Sequence, residues 1–294
     1  MGSIRSCVFA NTHLHFTVGL AGPKQEPCSS RAAGSPQGII SVQSKNAASP
    51  EIGLAFCLAG RAEAVLLAKG AGFDFAVMDM EHGPIGLSEL GQAAAVGQAA
   101  GFPVHARVTG PGSPDLARVL DCGAAGVIVP HVDSADEARR VVRACRFAPV
   151  GRRALPGPLP VADYVPLPAD ALVGAAGGGK VMAMIESAEA LAAVEEIAAV
   201  PGLDALIVGT NDLADGIGLR GRVGHPGIQA AFGRIAAAAR ARGLAFGAMG
   251  LPPELVESHA LALGASILVA TNETNLIVEG GTALLAALRG PAGS

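Results

Sequence analysis

The sequence predicts an α/β protein, a single (β/α)8 TIM barrel preceded by an N-terminal extension. Three observations lead there. From Ile52 onward one unit recurs about eight times: a short Val/Ile/Ala-rich run, a polar or glycine break, then an amphipathic stretch. Alternating strand and helix implies a parallel sheet, and eight units in about 240 residues fit a closed barrel better than an open sheet. The composition is half hydrophobic with 40 Gly, no Trp and one Tyr, which suits helices packed closely on a parallel sheet. Ionisable residues also gather where the apolar runs end, and parallel α/β enzymes keep their chemistry at the carboxyl ends of strands.

Residues 1–48 read differently from the rest. They carry clusters of Gly, Ser, Pro and Gln, a single acid (Glu26) and no periodicity, and they lack the long apolar core of a secretory signal. This stretch is expected to be a poorly ordered or transit-like extension, and 49–294 the barrel. The expected strands are Ile52–Leu58, Phe75–Met80, Pro103–Val108, Gly126–Val132, Val181–Glu186, Ala205–Thr210, Ala245–Gly250 and Ser266–Thr271. Each is a short apolar run bounded by turn signals, as a strand buried on both faces should be. Helices are expected over Ser134–Cys145, Ser187–Ala199 and Pro226–Arg242, among others. Good caps open several of them: Ser113 before Pro114, Ser134 with Glu137 three residues on, and Ser187. The Pro- and Gly-rich segment Phe147–Gly179 is longer than a connector needs, so it is either a lid over the barrel mouth or a contact for another subunit.

Several function classes drop out. A formal charge of -4 without a basic stripe argues against a nucleic-acid partner. No apolar segment reaches the ~18 residues that a membrane span needs. The five cysteines, Cys7, Cys28, Cys57, Cys122 and Cys145, show no paired spacing and read as reduced thiols of a cytoplasmic protein. Gly174–Lys180 matches G-x-x-x-x-G-K, but Val181 replaces the Ser or Thr of a phosphate-binding loop, and the match precedes a strand. The only lysines are Lys24, Lys45, Lys69 and Lys180. None ends a strand, so a Schiff-base mechanism has no nucleophile.

The strand ends carry the functional reading. Strand two runs into Asp79, Glu81, His82, Gly83 and Pro84; strand three ends in Arg107, and strand four in Pro130 and His131. Strand five ends in Glu186, and strand six runs into Gly209-Thr210-Asn211-Asp212. Neighbouring strands lie ~4.8 Å apart, so Glu186 and Asp212 are placed to share one cation. Two carboxylates with open positions suit Mg2+ or Mn2+ better than a closed zinc site. Each acid also suits a helix start, where a negative charge is favourable. Beside a metal, a fixed guanidinium at Arg107 would hold an enolate or carboxylate, and His82 would act as a general base near neutral pH. His131 suits a pocket wall as well as a chemical role.

These residues resemble the HpcH/HpaI aldolase and citrate lyase family. The matching runs are D-F-A-V-M-D-M-E-H-G-P (Asp74–Pro84), H-A-R-V (His105–Val108), L-D-C-G-A-A-G-V-I-V-P (Leu120–Pro130), P-V-G-R-R (Pro149–Arg153), M-I-E (Met184–Glu186) and G-T-N-D-L (Gly209–Leu213). The resemblance implies a class II carbon–carbon lyase that cleaves a 4-hydroxy-2-oxo acid to pyruvate, or a related 2-oxo acid, and an aldehyde. It implies a divalent cation, Mg2+ or Mn2+ with Co2+ a further candidate, held by Glu186 and Asp212. His82 would act through a bound water as the base, with Asp79 orienting it. Arg107 would stabilise the enolate, and the amides of Asn211 and Asp212 would hold the substrate carboxylate. Asp121 matches a residue that raises the basicity of that histidine. It precedes strand four, at the wrong end of its own barrel, so this role implies a homo-oligomer. One departure is Met184, where the best-known aldolases have a Gln that hydrogen-bonds substrate. A citrate-lyase-like or malyl-CoA-lyase-like enzyme acting on a thioester is the first alternative, and a metal-binding barrel without turnover the second.

Overall fold

Eight parallel strands close into a barrel in the order β1-β2-β3-β4-β5-β6-β7-β8 in the computed structural model, which describes residues 49–289. The N-terminal extension expected over 1–48, with Cys7 and Cys28, lies outside the described residues. The strands are β1 (Glu51–Phe56), β2 (Phe75–Asp79), β3 (Val104–Arg107), β4 (Gly126–Val129), β5 (Lys180–Ile185), β6 (Ala205–Gly209), β7 (Ala245–Met249) and β8 (Ile267–Asn272). β8 pairs in parallel with β1 to close the ring, with a register shift between Gly53 and Leu54.

Side chains alternate along each strand and build two cores. Phe75, Val77, Ile128, Met182, Met184, Ile207 and Val269 fill the barrel interior. Their neighbours Ala76, Met78, Val127, Val129, Ala183, Ile185, Leu206 and Val208 point outward into the shell of helices. His105, on the interior face of β3, lies edge-on to Phe75 with ring centroids 5.3 Å apart. Burial, reinforced by the Lys180 charge, lowers its pKa to about 4, so it serves as a neutral filler below Arg107.

The outer ring comprises α1 (Ala62–Ala71), α2 (Leu87–Ala100), α3 (Leu116–Asp121), α4 (Ala135–Cys145), α5 (Ala169–Ala176), α6 (Ala188–Ala192), α7 (Val194–Ala198), α8 (Thr210–Gly216), α9 (Pro226–Ala241), α10 (Pro253–His259) and α11 (Glu273–Arg289). None of the described helices is long and apolar enough to cross a membrane. Ser134 Oγ accepts from the Glu137 amide at 3.3 Å, and Ser187 Oγ from the Ala190 amide at 2.9 Å, as their spacing predicts. Cys57, Cys122 and Cys145 are free thiols.

Three expectations are corrected. Ser113 does not cap a helix: its Oγ accepts from the Asp115 amide in a turn, and α3 starts after Asp115. The helix expected over Ser187–Ala199 is two short ones that meet at Ala193, so that Val194 and Ile197 turn into the core while Glu195 and Glu196 stay exposed. Phe147–Gly179 is not a lid. It joins α4 to β5 and so lies at the amino end of the strands, opposite the mouth. There it forms a satellite core of Phe147, Leu159, Leu172 and Ala176. The Arg153 guanidinium lies 4.7 Å from the Phe147 ring centre and donates to Ala176 O at 3.2 Å.

Candidate active site

The mouth is built outward from Asp79, the fully buried last residue of β2, which stands in register with Arg107 at the end of β3. Arg107 Nε donates to Asp79 Oδ1 at 3.0 Å, and Nη2 to Oδ2 at 2.5 Å. Burial alone would raise the Asp79 carboxyl, but the Arg107 hydrogen bonds and charge outweigh it and hold the group below the usual carboxylate range. Oδ1 also accepts the backbone amides of Glu81 at 3.0 Å and His82 at 3.3 Å, shaping the turn after β2. Asp79 therefore orients His82 through its backbone. The imidazole itself is 61 % exposed, with Nε2 3.7 Å from Glu81 Oε2.

Glu81 turns inward and links the other groups. Its Oε2 lies 3.2 Å from Arg107 Nη1 and accepts no hydrogen bond, and Oε1 lies 2.8 Å from His131 Nε2. His131 follows β4 with φ 57, a left-handed conformation rare outside glycine. That twist brings Nδ1 to 3.1 Å from Glu186 Oε1, while the His131 amide donates to the same oxygen at 2.7 Å. Burial, aided by the nearby Glu81 and Asp212 charges, raises the Glu186 carboxyl against the opposing pull of His131. Gly209 makes room for this carboxylate, since a Cβ there would stand 2.5 Å from Oε2. Asn211 and Asp212 form the exposed first turn of α8, whose N-cap Gly209 supplies no side-chain acceptor for the leading amides.

Asp79, His82, Arg107, Glu186, Asn211 and Asp212 thus line one cavity of about 620 Å³, with Met184 on its floor. Asp121 does not join them. It ends α3 at the opposite end of the barrel, where Oδ1 accepts from Arg153 Nε at 3.2 Å and Nη2 at 2.5 Å.

Two contributors escaped the sequence reading. Glu81 stood within the E-H-G-P run but received no role. Glu273, just past β8, was missed altogether: its carboxylate accepts the amides of Cys57 (2.9 Å), Leu58 (2.5 Å) and Ala59 (2.9 Å). The loop it holds packs directly on the His82 turn, because a Cβ at Gly83 would stand 1.9 Å from Cys57 O. Cys57 Sγ reaches Asp79 Oδ2 at 3.5 Å, and burial together with that carboxylate pushes its thiol up to about 12.

The donor set fits a hard divalent cation. Glu186 is a buried carboxylate crowded by acids, a placement that a cation would relieve. Among the described residues no group of three or more His, Cys, Asp and Glu is arranged to hold a metal. Glu186 and Asp212 line the same cavity, and two protein carboxylates would leave positions on a cation for water and substrate oxygens.

Fold and mouth together define a (β/α)8 enzyme with a carboxylate-, guanidinium- and imidazole-lined site at the carboxyl ends of its strands. More narrowly, the model of the HpcH/HpaI aldolase/citrate lyase family matches residues 54–277, and the chain belongs to that family. It is 35 % identical to the 4-hydroxy-4-methyl-2-oxoglutarate aldolase of Hapsidospora irregularis, over 74 % of this chain and 82 % of that protein. It is 36 % identical to a hydroxypyruvate/pyruvate aldolase of Pseudomonas aeruginosa, over 72 % of this chain and 79 % of the relative. The HpcH/HpaI aldolase structure from Desulfitobacterium hafniense superposes with a TM-score of 0.78 at 26 % identity, covering 84 % of this chain and 95 % of that one. The expected family, barrel and aldolase-type carbon–carbon lyase are borne out.

Proposed function

We propose that the protein is a divalent-metal-dependent, cytoplasmic aldolase that cleaves 4-hydroxy-2-oxo acids to pyruvate, or a related 2-oxo acid, and an aldehyde. The observation that supports it most is the line of ionisable partners from Asp79 through Arg107, Glu81 and His131 to Glu186, beside Asp212 in one cavity. Glu186 and Asp212 would hold Mg2+, Mn2+ or Co2+, and the bound cation would supply Lewis-acid charge to the substrate carboxylate and keto oxygen.

The chain's own groups do the rest. His82, exposed to the cavity, removes the proton of the C4 hydroxyl through a bound water. As the C3–C4 bond breaks, its electron pair moves into a C2–C3 enolate, and the former C4 leaves as the aldehyde carbon. Arg107, fixed on Asp79 and unable to lose its proton, stabilises the enolate oxygen. The open amides of Asn211 and Asp212 hold the substrate carboxylate. The water at His82 then returns the proton to C3, which completes the 2-oxo acid.

A homo-oligomer belongs to this reading. Only Glu273 is buried along α11, while Ile277, Val278, Leu284 and Leu288 are exposed on it, a face that a second copy would cover. Asp121, remote from its own mouth, would support His82 of such a copy.

The test is release of pyruvate from a panel of 4-hydroxy-2-oxo acids, coupled to lactate dehydrogenase, with Mg2+, Mn2+ and Co2+ added to metal-stripped enzyme. Turnover should require the cation and survive borohydride with pyruvate present. Irreversible inactivation by borohydride would point to a Schiff base and overturn the reading.

A further inference from the structure

A further stretch of the cavity wall comes from β8, the start of α11 and the loop after β7. Its polar members are Thr271, Asn272, Asn275 and Glu279, set against Leu251 and Pro252. Among the described residues that line the cavity, Arg107 is the sole Lys or Arg, and Asp79 and Glu81 already engage it. A second carboxylate on the aldehyde half of a substrate would find no cation here, and it would face Glu279. A like charge placed opposite, or an anion desolvated without a partner, disfavours binding.

The amides on this wall present a different complement. Asn272 Oδ1 accepts from the Asn275 amide at 2.9 Å and from Thr274 Oγ1 at 2.6 Å, which leaves the Asn272 amino group without a hydrogen bond among the described residues. Asn275 Nδ2 donates to Thr271 Oγ1 at 3.4 Å, leaving its carbonyl oxygen as an acceptor. A donor and an acceptor on neighbouring turns match a hydroxyl group, which both gives and takes a hydrogen bond.

Resting on the aldolase reading of the same cavity, we propose that the aldehyde made and consumed here is uncharged and hydroxylated, and bears no carboxylate. That separates this chain from the relative named for 4-hydroxy-4-methyl-2-oxoglutarate, a dicarboxylate.

The test runs the reaction toward addition, with pyruvate, Mg2+ or Mn2+, and three aldehydes: glyceraldehyde, propanal of the same chain length, and succinic semialdehyde. Glyceraldehyde should exceed both others in kcat/KM by about tenfold or more, the size of one well-placed polar contact. Asn275→Ala should narrow its lead over propanal, and Glu279→Lys should raise kcat/KM for succinic semialdehyde by about tenfold. Succinic semialdehyde at or above glyceraldehyde in the unmodified enzyme overturns the uncharged class, and propanal equal to glyceraldehyde overturns the hydroxyl contacts. Failure of all three aldehydes with every metal overturns the aldolase reading and this proposal with it.

Discussion

On the proposed mechanism the residues at the mouth divide into groups that bind and groups that move protons, and substitution should separate them. Glu186→Ala would remove one of the two carboxylates proposed to hold the cation, so metal affinity should fall and activity with it, and excess metal should restore part of the rate. His82→Ala leaves both carboxylates in place. Metal and pyruvate should still bind by calorimetry, while kcat falls by roughly 10² to 10⁴ at any metal concentration. Arg107→Lys keeps the charge but cannot reproduce the fork on Asp79 Oδ1 and Oδ2, so turnover should fall there too. Near-native kcat with lost metal binding in His82→Ala would reverse the roles. His82 would then be a ligand, and His131, already between Glu81 and Glu186, the first candidate base.

At the scale of elements, Glu273 ties the start of α11 to the loop after β1, and that loop braces the His82 turn through Gly83. Burial would raise its carboxyl, but the amides of Leu58, Cys57 and Ala59 outweigh this and lower it. A depressed folded-state pKa contributes stability above the unfolded glutamate value, and the contribution is lost as pH falls through the folded one. Glu273→Gln should therefore lower stability by about 1–3 kcal/mol near pH 7, as disturbed buried hydrogen bonds do. In chemical denaturation the gap between variant and parent should close below about pH 4, near the ordinary carboxylate range. A gap that stays constant down to pH 3 would show that the carboxylate charge is not what holds the loop.

All eight strands were legible in the sequence because each is a short, doubly buried apolar run. The predicted ends of β2, β4 and β5 overran by one to three residues because Met80, Pro130 and Glu186 had stepped off the strand into the mouth. The cavity residues were legible for the same reason: the apolar pattern stopped where they began. Glu273 was not, since its partners lie 214–216 residues away across the seam of the barrel and no local spacing encodes that contact. The lid alternative failed on which end of the barrel the segment occupies: a connection from helix to parallel strand must return to the amino end, whatever its length.

At the scale of the whole molecule, two features stay unexplained within one copy: the apolar face of α11, and an Asp121 carboxylate aimed away from its own mouth. Arg153, with a side chain only 1 % exposed, grips Asp121 Oδ1, and Oδ2 accepts no hydrogen bond among the described residues. A carboxylate held by one oxygen presents the other in a fixed direction. If that direction is toward His82 of a second copy, two inactive proteins should repair each other. His82→Ala lacks the base but keeps Asp121; Asp121→Asn keeps the base but lacks its support. After mixing, mild dissociation and reassembly, the sites that pair an intact His82 with an intact Asp121 from the other variant should regain part of the parental activity. Leu284→Glu with Leu288→Glu should shift the mass measured by light scattering toward the monomer and abolish the repair. Mixed oligomers that form and stay as inactive as either variant alone would place the work of Asp121 within its own chain, as the Arg153 partner that locks the satellite core at the floor of the barrel.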